Sequence, residues 1–421
     1  MSHLLVPQDT VEKISLEGDT VVRAVSLSNG QVVRSEVGNV RLAPSDLSLV
    51  DKADWLELRR NQLPMAIRPE GYVRTIDLFC GCGGMSTGVG LAAFAINRSV
   101  QHQLACDLAD DALSVFSANH GQEGIEKLDL SELSSIPGSS KTPIEVRITR
   151  KVTEETDLLI AGPPCQGHSN LNNHTRRRDP KNELYFKTIR AVELLMPKFV
   201  MIENVPTVTR DHSRVVDRSI EYLTELGYSC DEGVVSLTAI GLPQTRKRHI
   251  LIAQRAGEKS MFESIKSTVS RFERNVRSVE FAIGDLLESL DDSLLNSVAG
   301  MADVTRARVD YLFDNDLYNL PDEVRPDCHR TKKHSYGSVY GRMKWDKPAP
   351  TITRGFLTMG QGRFVHPKRR STLTPREAAR VQGFPDFFDF SSLTTRKSLA
   401  SVIGNAVPPR LSYVFALDLL R

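Results

Sequence analysis

The sequence has 421 residues, of which 40% are hydrophobic and 25% are charged, and its formal net charge is +2. This composition excludes wholesale disorder and fibrous repeats, and the length predicts two or three domains. No apolar run approaches the ~20 residues of a membrane span, and six cysteines are too few for a disulfide scaffold. We therefore expect a cytoplasmic protein that does not enter membranes.

Residues 1–72 are predicted to form a β-rich amino-terminal appendage. Two β-rich runs, at 21–27 and 31–37, flank Ser28-Asn29-Gly30. Asn-Gly between two such runs is a strong signal for a hairpin. No chemistry is visible in this region, and we interpret it as a structural or assembly element.

Residues 73–256 have the pattern of an α/β domain. Short apolar runs occur at 75–79, 157–161, 199–203 and 249–253. Such runs are typical of strands buried on both faces of a parallel sheet, and a stretch of helical spacing at 183–196 separates two of them. The alternation predicts a doubly wound, mostly parallel sheet.

Residues 257–370 lose this rhythm and are predicted to form a second, smaller domain, with an acidic helical stretch at 285–316. Residues 371–421 regain a helical pattern and are expected to return to the first domain. Thr374, followed three residues later by Glu377, predicts a capping box at the start of a helix. A closing helix is expected at the carboxyl terminus.

A glycine-rich stretch, Asp77 to Gly84, follows the first strand of the α/β region. Glycines in a strand-to-helix turn let the backbone approach a ligand closely, and Phe79 could lie against an apolar part of it. Asp107 ends the next strand, where an acidic residue usually holds ribose hydroxyls. Cys80 and Cys82 could suggest a metal, but without a nearby His partner they favour a packed role.

Cys165 and Glu203 each follow a predicted buried strand. Pro163 and Pro164 stiffen the approach to Cys165, and the residues after it are polar, so the thiol is expected to face a cleft rather than the core. Glu203 is either a salt-bridged surface residue or a general acid in the same cleft, since a carboxylate is costly to bury unpaired.

Basic residues precede the strand at 249–253. In an extended chain Gln244, Arg246 and Arg248 would face one side, and two arginines on one face suit a phosphate or a carboxylate. The alternative is a solvated basic edge.

Together these motifs resemble those of the DNA (cytosine-5)-methyltransferase family, over residues 74–255 and 345–421. Six blocks occur in the family's order, namely DLFCGCGG, PPCQ, ENV, QTRKR, REAARVQGFPD and GNAVPP. The resemblance implies a Rossmann-like methyltransferase domain with a target-recognition domain at 257–370. It also implies S-adenosyl-L-methionine as cofactor, double-stranded DNA as substrate, no metal, and a plausible association with a restriction endonuclease.

The resemblance also assigns site residues. Cys165 would be the nucleophile, Glu203 its partner on the base, and Arg246 and Arg248 would secure the catalytic loop and the flipped nucleotide. The cofactor pocket would comprise Phe79, Gly81, Gly83, Gly84, Asp107, Asp129, Pro164, Leu184, Asn405 and Val407. Asp107 would bind the ribose, although the family more often has Glu there, and Asp129 would read the adenine amine. His168 also departs from the family, which often has Phe.

The implied chemistry explains these residue types. A thiolate that adds to C6 of cytosine makes C5 a nucleophile, and Glu203 can receive the electron density that collects at N3. The base must first be flipped out of the duplex. A basic loop at 166–182 could close over the DNA, and further phosphate contacts are expected from Lys332, Lys333, Arg342 and residues 368–370.

Two other functions remain open. An RNA cytosine-5 methyltransferase could use the same scaffold, but the sizeable divergent segment between QTRKR and REAARVQGFPD is expected of a DNA target-recognition domain. A catalytically silent DNA-binding protein is the second alternative, and the presence of both Cys165 and Glu203 opposes it.

Overall fold

The computed structural model describes residues 11–66, 68–164, 183–330 and 339–421. Within these ranges the strands form a three-stranded sheet and a seven-stranded sheet. None of the helices in the described ranges is long and apolar enough to cross a membrane.

A small antiparallel sheet and one helix form the amino-terminal part of the structure. They comprise β1 (Glu12–Glu17), β2 (Thr20–Ser26), β3 (Val32–Asn39) and α1 (Leu49–Leu58). Ser26 lies opposite Val32, so the hairpin predicted around Gly30 is confirmed. Gly30 has a φ of 86°, which glycine adopts without strain. The sequence patterns predict neither β1 nor α1.

The central sheet has seven strands. They are β4 (Tyr72–Leu78), β5 (Ser99–Asp107), β6 (Ile125–Lys127), β7 (Leu158–Ala161), β8 (Phe199–Asn204), β9 (Tyr228–Ser236) and β10 (Lys247–Arg255). Their order is β6-β5-β4-β7-β8-β10-β9, and β10 runs antiparallel to both of its neighbours whereas the other pairings are parallel. The predicted mostly parallel, doubly wound sheet is therefore confirmed.

Helices cover both faces of this sheet and continue beyond it. They are α2 (Gly84–Ala95), α3 (Asp110–His120), α4 (Pro143–Lys151), α5 (Glu183–Leu195), α6 (Val215–Glu225), α7 (Ile265–Arg271), α8 (Val279–Ile283), α9 (Asp303–Asp314), α10 (Asp327–Arg330), α11 (Pro375–Val381), α12 (Arg396–Asn405) and α13 (Pro409–Leu420). Along β8, Met201 packs toward α2 and α13, whereas Val200 and Ile202 pack toward α4, α5 and α6. Burial on both faces explains the uninterrupted apolar run of this strand.

The helix predicted over 285–316 is wrong in its first part. Helix α9 covers Asp303–Asp314, but residues 287–302 form turns and irregular chain. One local cause is visible at Asp291, whose carboxylate accepts a hydrogen bond from the Ser293 amide at 2.8 Å. Such a local bond competes with helix formation.

The carboxyl-terminal segment shares a core with part of the predicted smaller domain. Ile283, Ile352 and Phe364 are buried in one cluster with Val381 and Phe384. The capping box at the start of α11 is confirmed, since the side chains of its Thr and Glu bond each other's backbone amides. The closing helix is confirmed as α13. The domain boundaries at 256 and 370 stay a prediction.

Candidate active site

A cleft of about 410 Å³ opens at the carboxyl edge of the central sheet. From β4 the chain passes to β5 on one side, and from β7 it passes to β8 on the other side. Strand order therefore reverses between β4 and β7. Sheets of α/β proteins bind ligands at the carboxyl ends of the strands at such a reversal. The cleft is lined by these predicted site residues: Phe79, Gly81, Gly84, Asp107, Asp129, Pro164, Leu184, Glu203, Arg246, Arg248, Asn405 and Val407. Gly83 lies behind its wall.

The turn between β4 and α2 has an unusual backbone. Gly81 and Gly83 have φ values of 55° and 88°, and Phe79 has a φ of 57° although it carries a side chain. A bulky residue in this left-handed region is strained by about 1–3 kcal/mol, and such strain is common at ligand sites. A Cβ added to Gly81 would meet no atom within 4 Å, so the glycine faces open space in the cleft.

Asp107 fixes this turn. One carboxylate oxygen accepts a hydrogen bond from the Gly81 amide at 3.0 Å, and the other accepts one from the Ala109 amide at 2.9 Å. A carboxylate has about four acceptor sites, so lone pairs remain for the hydroxyls of a ligand. Asp129 lies on the same side of the cleft, where hydrogen bonds from Ser131 lower the pKa of its carboxyl group.

The opposite wall comes from the carboxyl-terminal segment. Asn405 ends α12, and Val407 precedes α13. A Cβ on Gly84 would lie 2.2 Å from the Val407 carbonyl oxygen, so glycine is needed where α2 meets this segment. Leu184, in the first turn of α5, adds an apolar contact surface.

Glu203 and Arg248 form an ion pair within the cleft. In the antiparallel β8–β10 pairing Glu203 lies opposite Ile250, so Arg248, two residues earlier, is on the same face. Arg248 Nε lies 2.5 Å from Glu203 Oε1, and the side chains are 11% and 8% exposed. Glu203 is therefore salt-bridged, as one interpretation of the sequence had it, but it is buried in the cleft rather than placed on the surface.

Arg246 contacts backbone rather than Glu203. Its guanidinium donates to the Ile352 carbonyl at 3.1 Å and to the Ala406 carbonyl at 3.2 Å. Gln244 and Gln382 are both fully buried, and their side-chain amides are 3.0 Å apart. The bond from Arg246 to Ala406 joins the start of β10 to the segment before α13, which forms one wall of the cleft. The bond from Gln244 to Gln382 joins the chain before β10 to the end of α11. Sequence reasoning did not assign Gln382, which lies in the fifth motif block.

Asp77 is a cleft residue that sequence reasoning also missed. It lies in β4 just before the glycine turn, and Ser86 Oγ donates to its carboxyl group at 2.6 Å. Burial raises the pKa of Asp77 to about 8, and the negative charge of Asp107 adds to this effect. The available signal was an acidic residue within an otherwise apolar strand run.

The described residues include neither Cys165 nor the predicted basic loop at 166–182, nor Lys332 and Lys333. Pro164, directly before Cys165, lines the cleft. The Pro163 carbonyl accepts a hydrogen bond from Asn204 at 3.3 Å, which ties the approach to Cys165 to the end of β8.

Several arginines predicted to contact phosphates are engaged within the protein. Arg369 pairs with the buried Glu377 at 2.7 Å, and Arg370 pairs with Asp314 at 2.6 Å. Arg342 donates to the Pro367 carbonyl and pairs with an aspartate at 3.2 Å. These residues add less net positive charge to a surface for DNA than the sequence suggests.

Cys80 and Cys82 are buried beside the cleft, and burial raises the pKa of the Cys82 thiol to about 12. Among the described residues, no group of three or more His, Cys, Asp or Glu side chains could hold a metal ion. The geometry of this pair fits the packed role.

Comparison with known proteins identifies the family. A family model described as C-5 cytosine-specific DNA methylase matches residues 73–421. Type II methyltransferase M1.BsuMI of Bacillus subtilis is 41% identical, with 99% of this chain and 97% of that protein covered. Type II methylase M.HgiDII of Herpetosiphon aurantiacus is 30% identical, with 82% and 94% covered. The chain belongs to the C-5 cytosine-specific DNA methylase family, and it is accordingly a DNA (cytosine-5)-methyltransferase.

Solved structures support the fold. The structure of the S. pombe Dnmt2 methyltransferase aligns with a TM-score of 0.56 at 19% identity, covering 82% of this chain and 98% of that one. The Entamoeba histolytica methyltransferase EhMeth aligns with the same TM-score at 18% identity and the same coverage. At these identities the likeness concerns the fold.

Proposed function

We propose that this enzyme methylates C5 of a cytosine flipped out of a specific double-stranded DNA sequence, with S-adenosyl-L-methionine as methyl donor and Cys165 as nucleophile. The observation that carries the proposal is the single cleft into which the glycine turn, Asp107, Pro164 and the Glu203–Arg248 pair converge. One end suits a nucleoside-containing cofactor, and the other carries acid–base groups beside the residue that precedes Cys165.

The residues at the first end fit the cofactor. The cleft volume is within the range of small-molecule sites. Asp107 offers carboxylate acceptors for ribose hydroxyls, and Asp129 offers one for an amine. Phe79, Leu184 and Val407 supply apolar surface for a ring. When bound, the cofactor supplies an electrophilic methyl group.

Cys165 acts on the base. Its thiolate adds to C6, which breaks the aromaticity of the ring and moves electron density toward C5 and N3. A free thiol is mostly protonated at neutral pH, so a neighbouring positive charge or a helix dipole must assist its ionisation. After methylation a base such as a water molecule takes the C5 proton, and elimination of the sulfur as thiolate restores the aromatic ring.

Glu203 and Arg248 face the N3 edge of the pyrimidine, whereas Cys165 adds at C6. When the base is bound, Glu203 faces N3 and passes a proton to it as negative charge develops there after addition at C6, and Arg248 stabilises the carboxylate that this transfer leaves. The ion pair with Arg248 fixes the orientation of the carboxyl group before the base arrives. Arg246, bound to two backbone carbonyls, positions the strand that carries Arg248.

Methyl transfer to defined nucleic acids tests this proposal. The protein is incubated with labelled S-adenosyl-L-methionine and either duplex DNA or tRNA, and bisulfite sequencing of the DNA locates the product. We expect 5-methylcytosine at one DNA sequence, no labelled tRNA, and loss of activity in Cys165→Ser. Labelling of tRNA alone would favour the RNA alternative, and full activity in Cys165→Ser would exclude the covalent mechanism.

We further propose that the enzyme works beside a cognate restriction endonuclease in a bacterial cytoplasm. The support is its similarity to Type II methyltransferases of bacteria. An extract of the organism of origin should contain a nuclease that cuts unmodified DNA at the methylated sequence and spares DNA treated with this enzyme. Equal cutting of both DNAs would contradict the pairing.

A further inference from the structure

His120, the last residue of α3, occupies the space beside Gly83. A Cβ on Gly83 would lie 2.5 Å from His120 Nε2 and 2.9 Å from the Phe116 ring. The missing side chain of Gly83 therefore does not face the ligand cleft. It makes room for an imidazole that packs behind the glycine turn.

The same imidazole is within hydrogen-bonding distance of the turn. His120 Nε2 lies 3.2 Å from the Gly83 carbonyl oxygen, which also accepts the Thr87 amide hydrogen bond of the first turn of α2 at 2.8 Å. Thr87 Oγ1 also donates to this carbonyl, at 2.8 Å, and lies 3.3 Å from His120 Nε2. With the proton on Nε2, His120 is a third donor to the Gly83 carbonyl. The ring is held by Phe116, with centroids 4.6 Å apart, and by His102 at 5.3 Å.

Charge does not explain this arrangement. Burial of the ring lowers the pKa of His120, and the neighbouring His102 lowers it further, so the neutral form prevails at physiological pH. His102 in turn bonds Thr75 at 2.8 Å rather than the glycine turn. A neutral imidazole supplies a directed donor and a rigid packing surface.

We propose that His120 is a positioning residue for the cofactor turn. Asp107, the last residue of β5, holds the Gly81 amide, and His120, the last residue of α3, lies against the Gly83 carbonyl, so the segment from the end of β5 to the end of α3 contacts the turn at two points. His120 is not among the residues that line the cleft. This inference rests on the proposed cofactor site. It assigns a role at that site to a residue that lies outside all six motif blocks.

Two nearly isosteric variants test the donor. Gln can place its amide nitrogen close to the position of His Nε2, whereas Met fills similar space without a donor. We expect His120→Met to raise the Kd for S-adenosyl-L-methionine about 5- to 10-fold and to raise its KM similarly, with kcat unchanged at saturation. We expect His120→Gln to keep both within about twofold, and the pH dependence of the Kd between 6.5 and 8 to be the same in every variant as in the wild type.

Asn119→Leu is the matched control, because Asn119 is the adjacent residue of α3 and bonds the Asp389 backbone instead of the turn. It should lower the melting temperature without changing the Kd. An unchanged Kd in His120→Met, an equal loss in His120→Gln, or an equal loss in Asn119→Leu would overturn the positioning role. Failure of the wild-type protein to bind the cofactor would instead overturn the proposed function, and this inference with it.

Discussion

Glu203 and Arg248 form a charged pair that is largely shielded from water, at the end of the cleft that adjoins Pro164. Such a pair contributes little net stability, because desolvation offsets the Coulombic attraction. Its value lies in holding a carboxyl group in a fixed orientation.

Replacing Glu203 with Gln should therefore separate chemistry from binding. We expect single-turnover methyl transfer to slow about 10²- to 10⁴-fold, the range of a lost general acid, while cofactor affinity stays within about twofold. Glu232→Gln on strand β9, which pairs with β10, is the control, since Glu232 pairs with His249 and does not line the cleft. Normal turnover in Glu203→Gln would remove this residue from the mechanism.

Asp77 should make the stability of the ligand-free protein depend on pH. Its pKa is about 8 when folded and about 4 when unfolded, so as pH rises the unfolded chain loses this proton first. The contribution of Asp77 to the free energy of unfolding therefore falls between about pH 4 and pH 8, by up to ~1.4 kcal/mol per unit, and then levels off.

Asp77→Asn removes that contribution. The difference in unfolding free energy between Asp77→Asn and wild type, measured by urea denaturation, should grow in favour of the variant from about pH 5 to pH 8. Asp111→Asn, an exposed substitution at the cleft rim, should show no such trend. A difference that stays constant with pH for Asp77→Asn would contradict the assignment of a buried, protonated carboxyl group.

The residues of the cleft were largely predictable because short motifs encode them locally. Gly81, Asp107 and Glu203 each end or follow a strand that the apolar pattern already places in the sheet. Arg246 was harder, because its acceptor carbonyls lie 106 and 160 residues along the chain. His120 could not be predicted, since it belongs to no motif and its contact with the Gly83 carbonyl depends on how α3 packs against the glycine turn.

At the scale of elements, helices α2 and α13 pack closely enough to exclude a methyl group. A Cβ on Gly88 would lie 2.0 Å from the Pro409 carbonyl oxygen and 2.2 Å from Ser412 Oγ, whereas a Cβ on Gly90 would meet nothing within 4 Å. Both glycines lie in α2, so they differ in environment and not in secondary structure.

Gly88→Ala should lower the free energy of unfolding by about 1–3 kcal/mol, because the two helices must separate. Gly90→Ala should leave it unchanged or raise it by up to ~1 kcal/mol, since alanine is the better helix former. Urea unfolding of both variants measures the contrast. Equal effects at the two positions would show that the close approach of α2 and α13 is not maintained in solution.

Elements with a strong period or cap were predictable, and those set by distant partners were not. The capping box at Thr374 and the apolar runs of β4, β7, β8 and β10 are local signals. Helix α1 lacks a strong apolar face, and in the stretch at 287–302 the Asp291 carboxylate accepts a hydrogen bond from the Ser293 amide. Composition alone does not distinguish such a stretch from a helix.

At the scale of the whole molecule, buried charges join the amino-terminal sheet and α1 to the rest of the chain. Glu12 pairs with Arg23 at 2.9 Å and with Arg274 at 3.0 Å. Asp54 pairs with Arg277 at 2.6 Å and also contacts Arg274. The predicted appendage is thus fixed to the segment that carries Arg274 and Arg277, and none of these residues lines the cleft. Arg274 and Arg277 lie more than 200 residues from Glu12 and Asp54 along the chain, so the sequence of the appendage did not predict these ion pairs.

Asp54→Asn should destabilise the protein by about 3–5 kcal/mol, because it leaves buried arginines without a counter-charge. Burial raises the pKa of Asp54, but Arg410, Arg277 and Arg274 lower it well below its usual range. The stabilisation is therefore complete above about pH 4 and is lost as the carboxylate is protonated in stronger acid.

Asp19→Asn is the control for this network. Asp19 pairs with Arg41 on the surface, and its loss should cost at most about 1 kcal/mol. Thermal or urea unfolding near neutral pH compares the two variants. Equal costs would mean that the buried network does not hold the appendage in place.

The central claim is that the sulfur of Cys165 bonds to a cytosine held opposite Glu203. The most direct measurement is a mass-spectrometric search for a covalent adduct between the enzyme and a duplex that carries 5-fluorocytosine at the target position, formed with S-adenosyl-L-methionine. Fluorine cannot leave as a proton does, so the intermediate should accumulate. We expect one adduct at Cys165, absent in Cys165→Ser. Methyl transfer to normal DNA without any adduct, or an adduct at another residue, would contradict the account.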